Sequence, residues 1–187
     1  MSLKIAIITG STRPGRKSDT VAKWVHGIAS KRKDAEFEVV DIADYDLPLF
    51  DEPMPPMMKQ YQNAHTKKWS EKISTFDAYI FVTPEYNHST SGALKNAIDY
   101  LAHEWFNKAA GFVSYGGGSS GARAVEHLRL ILAELSIATV RASVGLSLYT
   151  DFENFTTFKP GAQREQEVNT VLDQVIAWGK ALSPLRQ

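Results

Sequence analysis

Residues 4–31, KIAIITGSTRPGRKSDTVAKWVHGIASK, constrain the fold more than any other stretch. Ile5, Ala6, Ile7 and Ile8 make a short unbroken apolar run, as expected of a strand buried on both faces of a parallel sheet. Val21, Trp24, Val25, Ile28 and Ala29 then recur at helical spacing. Between the two, residues 10–20 are dense in glycine, hydroxyls and cations. A loop running from the carboxyl end of a strand into a helix presents unpaired N–H groups at the positive end of the helix dipole. Such a place binds anions, phosphates above all.

Three anion-site readings compete. Gly10 and Gly15 followed by Arg16, Lys17 and Ser18 nearly match a nucleotide P-loop, but Arg16 stands where the lysine belongs and the Lys-Ser pair is displaced by one residue. A dinucleotide fingerprint, G-x-G-x-x-G, is absent. A flavodoxin-type loop, wrapping one terminal phosphate with hydroxyls and backbone N–H groups, is favoured by Ser11, Thr12, Ser18 and Thr20, with Arg13 as a charge-assisted partner. The bland alternative is a polar N-cap, supplied by Ser18 or Asp19.

At 187 residues the chain can build one α/β domain with a sizeable core, and residues 1–187 read as a single domain. Its 21 basic and 21 acidic residues balance, so no electrostatic case exists for nucleic-acid or membrane partners. With no cysteine, disulfides, thiolate nucleophiles and thiolate metal sites are excluded, which fits a cytoplasmic enzyme. The opening apolar run is too short for a signal peptide or membrane span.

Further strands are expected at 37–42, near a sheet edge, and at 78–82, 109–114 and 137–144. Helices are expected at 64–76, after 89–91, from Ser119 or Ser120, and after Gly161. Four prolines in 44–56 bar a regular element there, and Leu47, Leu49, Phe50 and Met54 in that loop need cover. Asp41 reads as a solvated strand end. Strands alternating with helices predict an α/β/α sandwich of three layers with a five-stranded parallel sheet in flavodoxin-like order, 2-1-3-4-5. Ligands of such sheets bind beyond the carboxyl ends of the strands, where loops 10–20, 83–91 and 115–120 would converge.

Pro84, Glu85, Tyr86 and Asn87 place an aromatic and free backbone N–H groups beside a stiff turn, suited to the polar edge of a flat heterocycle; Asn87 could equally hold the turn itself. Gly116, Gly117 and Gly118 after Tyr115 allow close approach of backbone to a planar ligand, or form only a flexible turn. His88 and His103 lack the spaced partners of a metal site, and none is expected.

Taken together, Gly10 to Arg13, the run Pro84 to Asn87 followed by Ser91, Gly92, Ala93, Leu94, Lys95, Asn96, Ala97, Ile98 and Asp99, the glycine turn at 115–118 and the Leu47-Pro48-Leu49-Phe50 loop resemble the NAD(P)H-dependent FMN reductases of the flavodoxin-like superfamily, which include quinone, chromate and azo-dye reductases. The resemblance implies bound FMN and NADPH or NADH as co-substrate. It implies that Ser11, Thr12 and Arg13, with Ser18, Asp19 and Thr20, hold the phosphate, Asp19 through its N–H alone. Pro84, Glu85, Tyr86 and Asn87 would hold the isoalloxazine, and Tyr115, Gly116, Gly117 and Gly118 would border its pyrimidine side, with a helix N-terminus near 119 stabilising negative charge there. The redox chemistry would belong to the flavin, so no catalytic side chain is expected. A homodimer or homotetramer is implied, pairing helices near 92–103 and 120–135 with Glu104, Trp105 and Phe106 close to the seam. Tyr149, Phe152, Phe155 and Phe158 crowd one loop, as its internal packing or, preferably, as a subunit contact. The alternatives are a non-enzymatic flavodoxin-like electron carrier, against which the neutral charge argues, and a P-loop-like nucleotide-binding protein.

Overall fold

A computed structural model describes residues 2–186. Parallel strands β1 (Leu3–Thr9), β2 (Ala35–Asp41), β3 (Ala78–Pro84), β4 (Ala109–Gly116) and β5 (Ala138–Ser147) form a five-stranded sheet in the order β2-β1-β3-β4-β5. The helices are α1 (Ser18–Ala29), α2 (Ala64–Ser74), α3 (Gly92–Asp99), α4 (Ala122–Glu134) and α5 (Gln163–Leu182). The expected order is therefore observed, with β2 at an edge.

The unbroken apolar runs have a simple cause. In β1, Ile5 and Ile7 face the core shared with α1 and α5, while Ala6 and Ile8 face that of α2, α3 and α4. With both sheet faces covered, strand alternation cannot show as polar against apolar. Burying an isoleucine such as Ile5, fully enclosed, contributes about 1.5–3 kcal/mol.

Several boundaries differ from expectation. Strand β4 runs on through Tyr115 and Gly116, and β5 reaches Ser147, because the two remain paired to Gly116↔Ser147 beyond a bulge between Ala110 and Phe112. Helix α4 starts at Ala122 rather than Ser119 or Ser120; Gly121, at φ +84°, turns the chain into it. The loop after β5 contains a small hairpin, β6 (Phe152–Glu153) and β7 (Thr157–Phe158). The proline-rich stretch carries short 3-10 turns at Ile42–Tyr45 and Pro56–Met58. Its backbone is held by Asn96, which donates to Pro48 O at 2.6 Å and accepts from Phe50 N at 2.9 Å. Glu104 and Trp105 are buried within the subunit itself. Trp105 is fully buried, and Glu104 accepts from Tyr61 Oη at 3.0 Å and Ser70 Oγ at 2.6 Å. Among the described residues no helix is long and apolar enough to cross a membrane.

Candidate active site

The carboxyl ends of β1, β3 and β4 open into a cleft of about 390 Å³. Arg13, Arg16 and Lys17 line it from the first loop, Pro84, Glu85 and Tyr86 from the second, and Tyr115, Gly116 and Gly117 from the third. The three loops do converge. A fourth wall, which the sequence reading missed, comes from Leu148 and Phe155 beyond β5.

The first loop leaves β1 through Gly10, whose N–H donates to Val82 O at 2.7 Å. A Cβ there would stand 2.6 Å from that oxygen, so only glycine lets the loop pass so close to β3. Ser91 Oγ both donates to Gly10 O at 2.5 Å and accepts from Leu94 N, capping α3 while fixing the loop. Helix α1 has no side-chain cap, and neither Ser18 nor Asp19 serves as one. Ser18 is buried and donates to Ser11 O at 3.4 Å. The N–H groups of Ser11, Thr12, Gly15, Ser18, Asp19 and Thr20 consequently have no partner among the described residues. A polar N-cap does not account for this loop.

Its cations divide into two kinds. Arg16 is tied to Asp41, which also accepts from Thr9 Oγ1 at 2.8 Å and Ala43 N at 3.0 Å, so Asp41 is a brace rather than a solvated strand end. Arg16 Nε remains buried and unbonded. Arg13 is exposed without a side-chain partner among the described residues, and the Lys17 ammonium has only the Phe152 ring, 5.8 Å from its centroid. Neither Arg16 nor Lys17 sits as a P-loop lysine would. Thr12 turns away from this cleft and lines a neighbouring one of about 420 Å³ with Leu47, Pro48 and Asn96.

The second loop is a tight hairpin. Tyr86 and Ser89 exchange backbone bonds at 2.9 and 3.1 Å, and Asn87 and His88 hold its centre at φ +47° and +72°. Two successive left-handed residues define a type I′ turn, which leaves both central N–H groups facing outward. Tyr86 Oη lies 2.8 Å from Ser11 Oγ, fastening this loop to the first.

Glu85 does not present its carboxylate to the cleft. Its side chain, 7% exposed, accepts from Ser119 Oγ at 2.5 Å, Arg123 N at 3.2 Å and the Arg123 guanidinium. Burial works against its charge, but the hydrogen bonds from Arg123 and Ser119 outweigh that and hold its pKa below the ordinary carboxylate range. Glu85 thus caps the start of α4 from a neighbouring loop, and that helix end is already neutralised. The donors left in the third loop are the N–H groups of Gly117, Gly118 and Ser119, which have no partner among the described residues. A Cβ at Gly118 would meet only open space, whereas Gly116 must be small because α4 folds back to place Gly121 N 2.9 Å from a Cβ there. Burial raises the Tyr115 phenol well above its usual pKa, keeping it a neutral wall.

The cleft's spare groups fit a phosphate monoester joined to a flat ring: unpartnered N–H groups, one free arginine, and apolar walls. Asp19 is the discordant member, because its Oδ1 is buried without a donor, and only its N–H suits an anion. Among the described residues no cluster of three or more His, Asp or Glu could hold a metal; His88 instead contacts Arg123 at 3.1 Å, and His127 contacts Ser89 at 2.8 Å.

Comparison with known proteins agrees with this geometry. Residues 3–151 match the family described as NADPH-dependent FMN reductase. A protein from Nectria sp. named NAD(P)H-dependent FMN reductase ntnL is 38% identical over 172 residues, spanning 87% of this chain and 84% of its own. A 2-hydroxy-1,4-benzoquinone reductase from Burkholderia sp. is 33% identical over 144 residues, 73% of this chain and 74% of its own. The structure of FerB, a flavoenzyme NAD(P)H:(acceptor) oxidoreductase from Paracoccus denitrificans, superposes with a TM-score of 0.72. It covers 96% of this chain and 98% of its own at 21% identity, a likeness of fold.

Proposed function

Because this chain belongs to the NADPH-dependent FMN reductase family, we propose that its three-loop rim holds FMN and admits a quinone or free flavin as electron acceptor. The activity is FMN-dependent oxidation of NAD(P)H. When bound, FMN supplies the hydride-accepting and hydride-donating centre. The chain's own residues bind, orient and exclude water.

The observation that carries the assignment is the set of unpartnered donors on the first loop. The N–H groups of Ser11, Thr12, Ser18, Asp19 and Thr20 and the Arg13 guanidinium take the phosphate. Pro84, Tyr86 and the Asn87 N–H hold the ring, while Glu85 positions their loop by its bond to Arg123. Tyr115 and Gly116 border the ring's pyrimidine side, and the N–H groups of Gly117 and Gly118 meet its carbonyl edge. No side chain in the cleft is given a proton-transfer role, so acceptor protonation falls to water.

Residues 1–187 act as one domain in this reading, located in the cytoplasm, without a nucleic-acid or membrane partner. A homodimer or homotetramer is supported by a groove of about 360 Å³ beside α3 and α4, whose apolar floor of Ile98, Leu101, Ile131 and Leu135 is rimmed by Lys95, Asp99 and Glu134. The purified protein should be yellow and release FMN on heating, and should consume NADPH when given a quinone. A colourless protein that takes up no FMN at micromolar levels would refute the reading.

A further inference from the structure

The hairpin after β5 breaks a local rule. Asn154 and Phe155 occupy consecutive left-handed positions, φ +50° and +57°, at a turn closed by Thr156 N donating to Glu153 O at 3.0 Å. Glycine is the favoured second residue of such a turn, and a bulky aromatic there is strained. Burial does not compensate, for Phe155 is 55% exposed. Its ring lines the cleft and meets Tyr149, itself 66% exposed, edge-on at 5.5 Å. Strain without a packing return is a mark of a functional position.

The base of the hairpin, by contrast, is rigidly mounted. Phe158 packs edge-on against Trp24 at 5.3 Å and, tilted, against Phe152 at 5.0 Å. Buried Asp151 accepts from Ser147 N at 2.9 Å, Gly161 N at 3.4 Å and the Arg164 guanidinium at 3.1 Å, spanning both ends of the loop. Two of the four aromatics are therefore internal packing, and the other two form an exposed ledge at the cleft mouth. The Lys17 ammonium, without an acid partner among the described residues, lies on the same cleft.

We propose that Phe155, backed by Tyr149, is the stacking platform for a ring of the nicotinamide dinucleotide, with Lys17 taking one of its phosphates. The inference rests on the oxidoreductase reading above and assigns the second substrate's grip to the hairpin after β5, outside the three cofactor loops, together with Lys17 of the first loop. A flat ring and a phosphate on one molecule match an aromatic face and a free ammonium on one cleft.

Phe155→Gly tests it, because glycine relieves the turn while removing the ring. A tetrahydro analogue of NADPH that cannot give up hydride is titrated calorimetrically into FMN-loaded protein, alongside flavin-fluorescence titration of FMN and a thermal melt. Expected are a melting temperature at or above wild type, FMN affinity within about twofold, and analogue affinity lower by up to about tenfold, restored by Phe155→Trp. Lys17→Met should weaken the analogue severalfold and flatten its salt dependence. Unchanged analogue affinity in Phe155→Gly overturns the proposal, as does a lowered melting temperature, which would assign the ring to packing. Loss of FMN from the variant alone would assign it to the cofactor site and also overturn it. Failure of the wild-type protein to take FMN would instead strike the reading on which the inference rests.

Discussion

Glu85→Gln should separate the tie between the second and third loops from everything else in the cleft. The carboxylate accepts four hydrogen bonds, from Ser119 Oγ, Arg123 N and two guanidinium nitrogens. Glutamine keeps the shape and one acceptor oxygen, but turns an NH₂ toward donors and loses the charge facing the start of α4. Hydrogen bonds to charged groups contribute about 1.5–3 kcal/mol, and an anion at a helix N-terminus about 0.3–1 kcal/mol. Arg123 is 47% exposed, so water takes over part of its share. A net loss of about 2 kcal/mol follows, or about 4–8 °C in melting temperature for a chain of this size. FMN affinity should fall as well, because the turn carrying Tyr86 and Asn87 is released. The folded pKa of Glu85 lies below its unfolded value near ~4.3. The tie's stabilisation is therefore complete above that value and is lost as pH drops through the folded pKa. The gap between wild type and variant should stay flat from about pH 7 to about pH 5, then close in more acid solution. Thermal melts of FMN-free protein across that range, with a fluorescence titration at neutral pH, measure both. A variant melting with wild type at neutral pH, with FMN affinity unchanged, would refute the reasoning.

Arg13→Ala should weaken FMN by about 1.5–3 kcal/mol in a fluorescence titration while leaving the melting temperature of the FMN-free protein unchanged, since its guanidinium braces nothing. Gly121→Ala places a Cβ 2.7 Å from Ser114 Cβ at φ +84°, and should cost at least about 2 kcal/mol by denaturant unfolding. Asp151→Asn should cost about 1.5–3 kcal/mol, because it removes the charge that accepts from Arg164, Ser147 N and Gly161 N while Arg164 keeps Glu167, and should expose residues 152–160 to protease; mass spectrometry of the fragments checks the site. The folded pKa of Asp151 is also depressed, since bonds from Arg164, Ser147 and Gly161 outweigh burial, so that loss too should vanish in acid.

What the sequence could reveal follows from range. Strand β1, the stripe of α1 and the sheet order were legible because burial on two faces, or on one helical stripe, writes a pattern over adjacent residues. The 78–82 and 109–114 runs showed the strands, but their ends did not, because β4 and β5 end where pairing ends and not where apolarity does. The β6–β7 hairpin escaped because two-residue strands carry no period and its turn lacks the usual glycine. Arg13, Pro84, Tyr86 and Tyr115, singled out from loop chemistry and from the family resemblance, do line one cleft. The roles of Glu85 and Asp41 were not legible, for their partners Arg123 and Arg16 lie 38 and 25 residues away, and a lone acid cannot name its cation.

The fastenings decide what the cleft can hold. Ser11 meets Tyr86 and Ser91 meets Gly10, each joining two loops, while Glu85 meets Arg123 of α4 and Asp151 meets Arg164 of α5, each tying a loop to a helix, all without help from any ligand. These pairs consume the acidic side chains at the rim except Asp19. Nearly every polar side chain left facing the cleft is therefore a donor, namely Arg13 and Lys17, beside the unpartnered N–H groups of the loops. A cation or a donor-rich ligand would find almost nothing to bond, whereas a phosphate and a carbonyl-edged ring find donors already fixed. Such a rim need not order itself on binding, so the entropy cost of holding the cofactor is met in advance by folding.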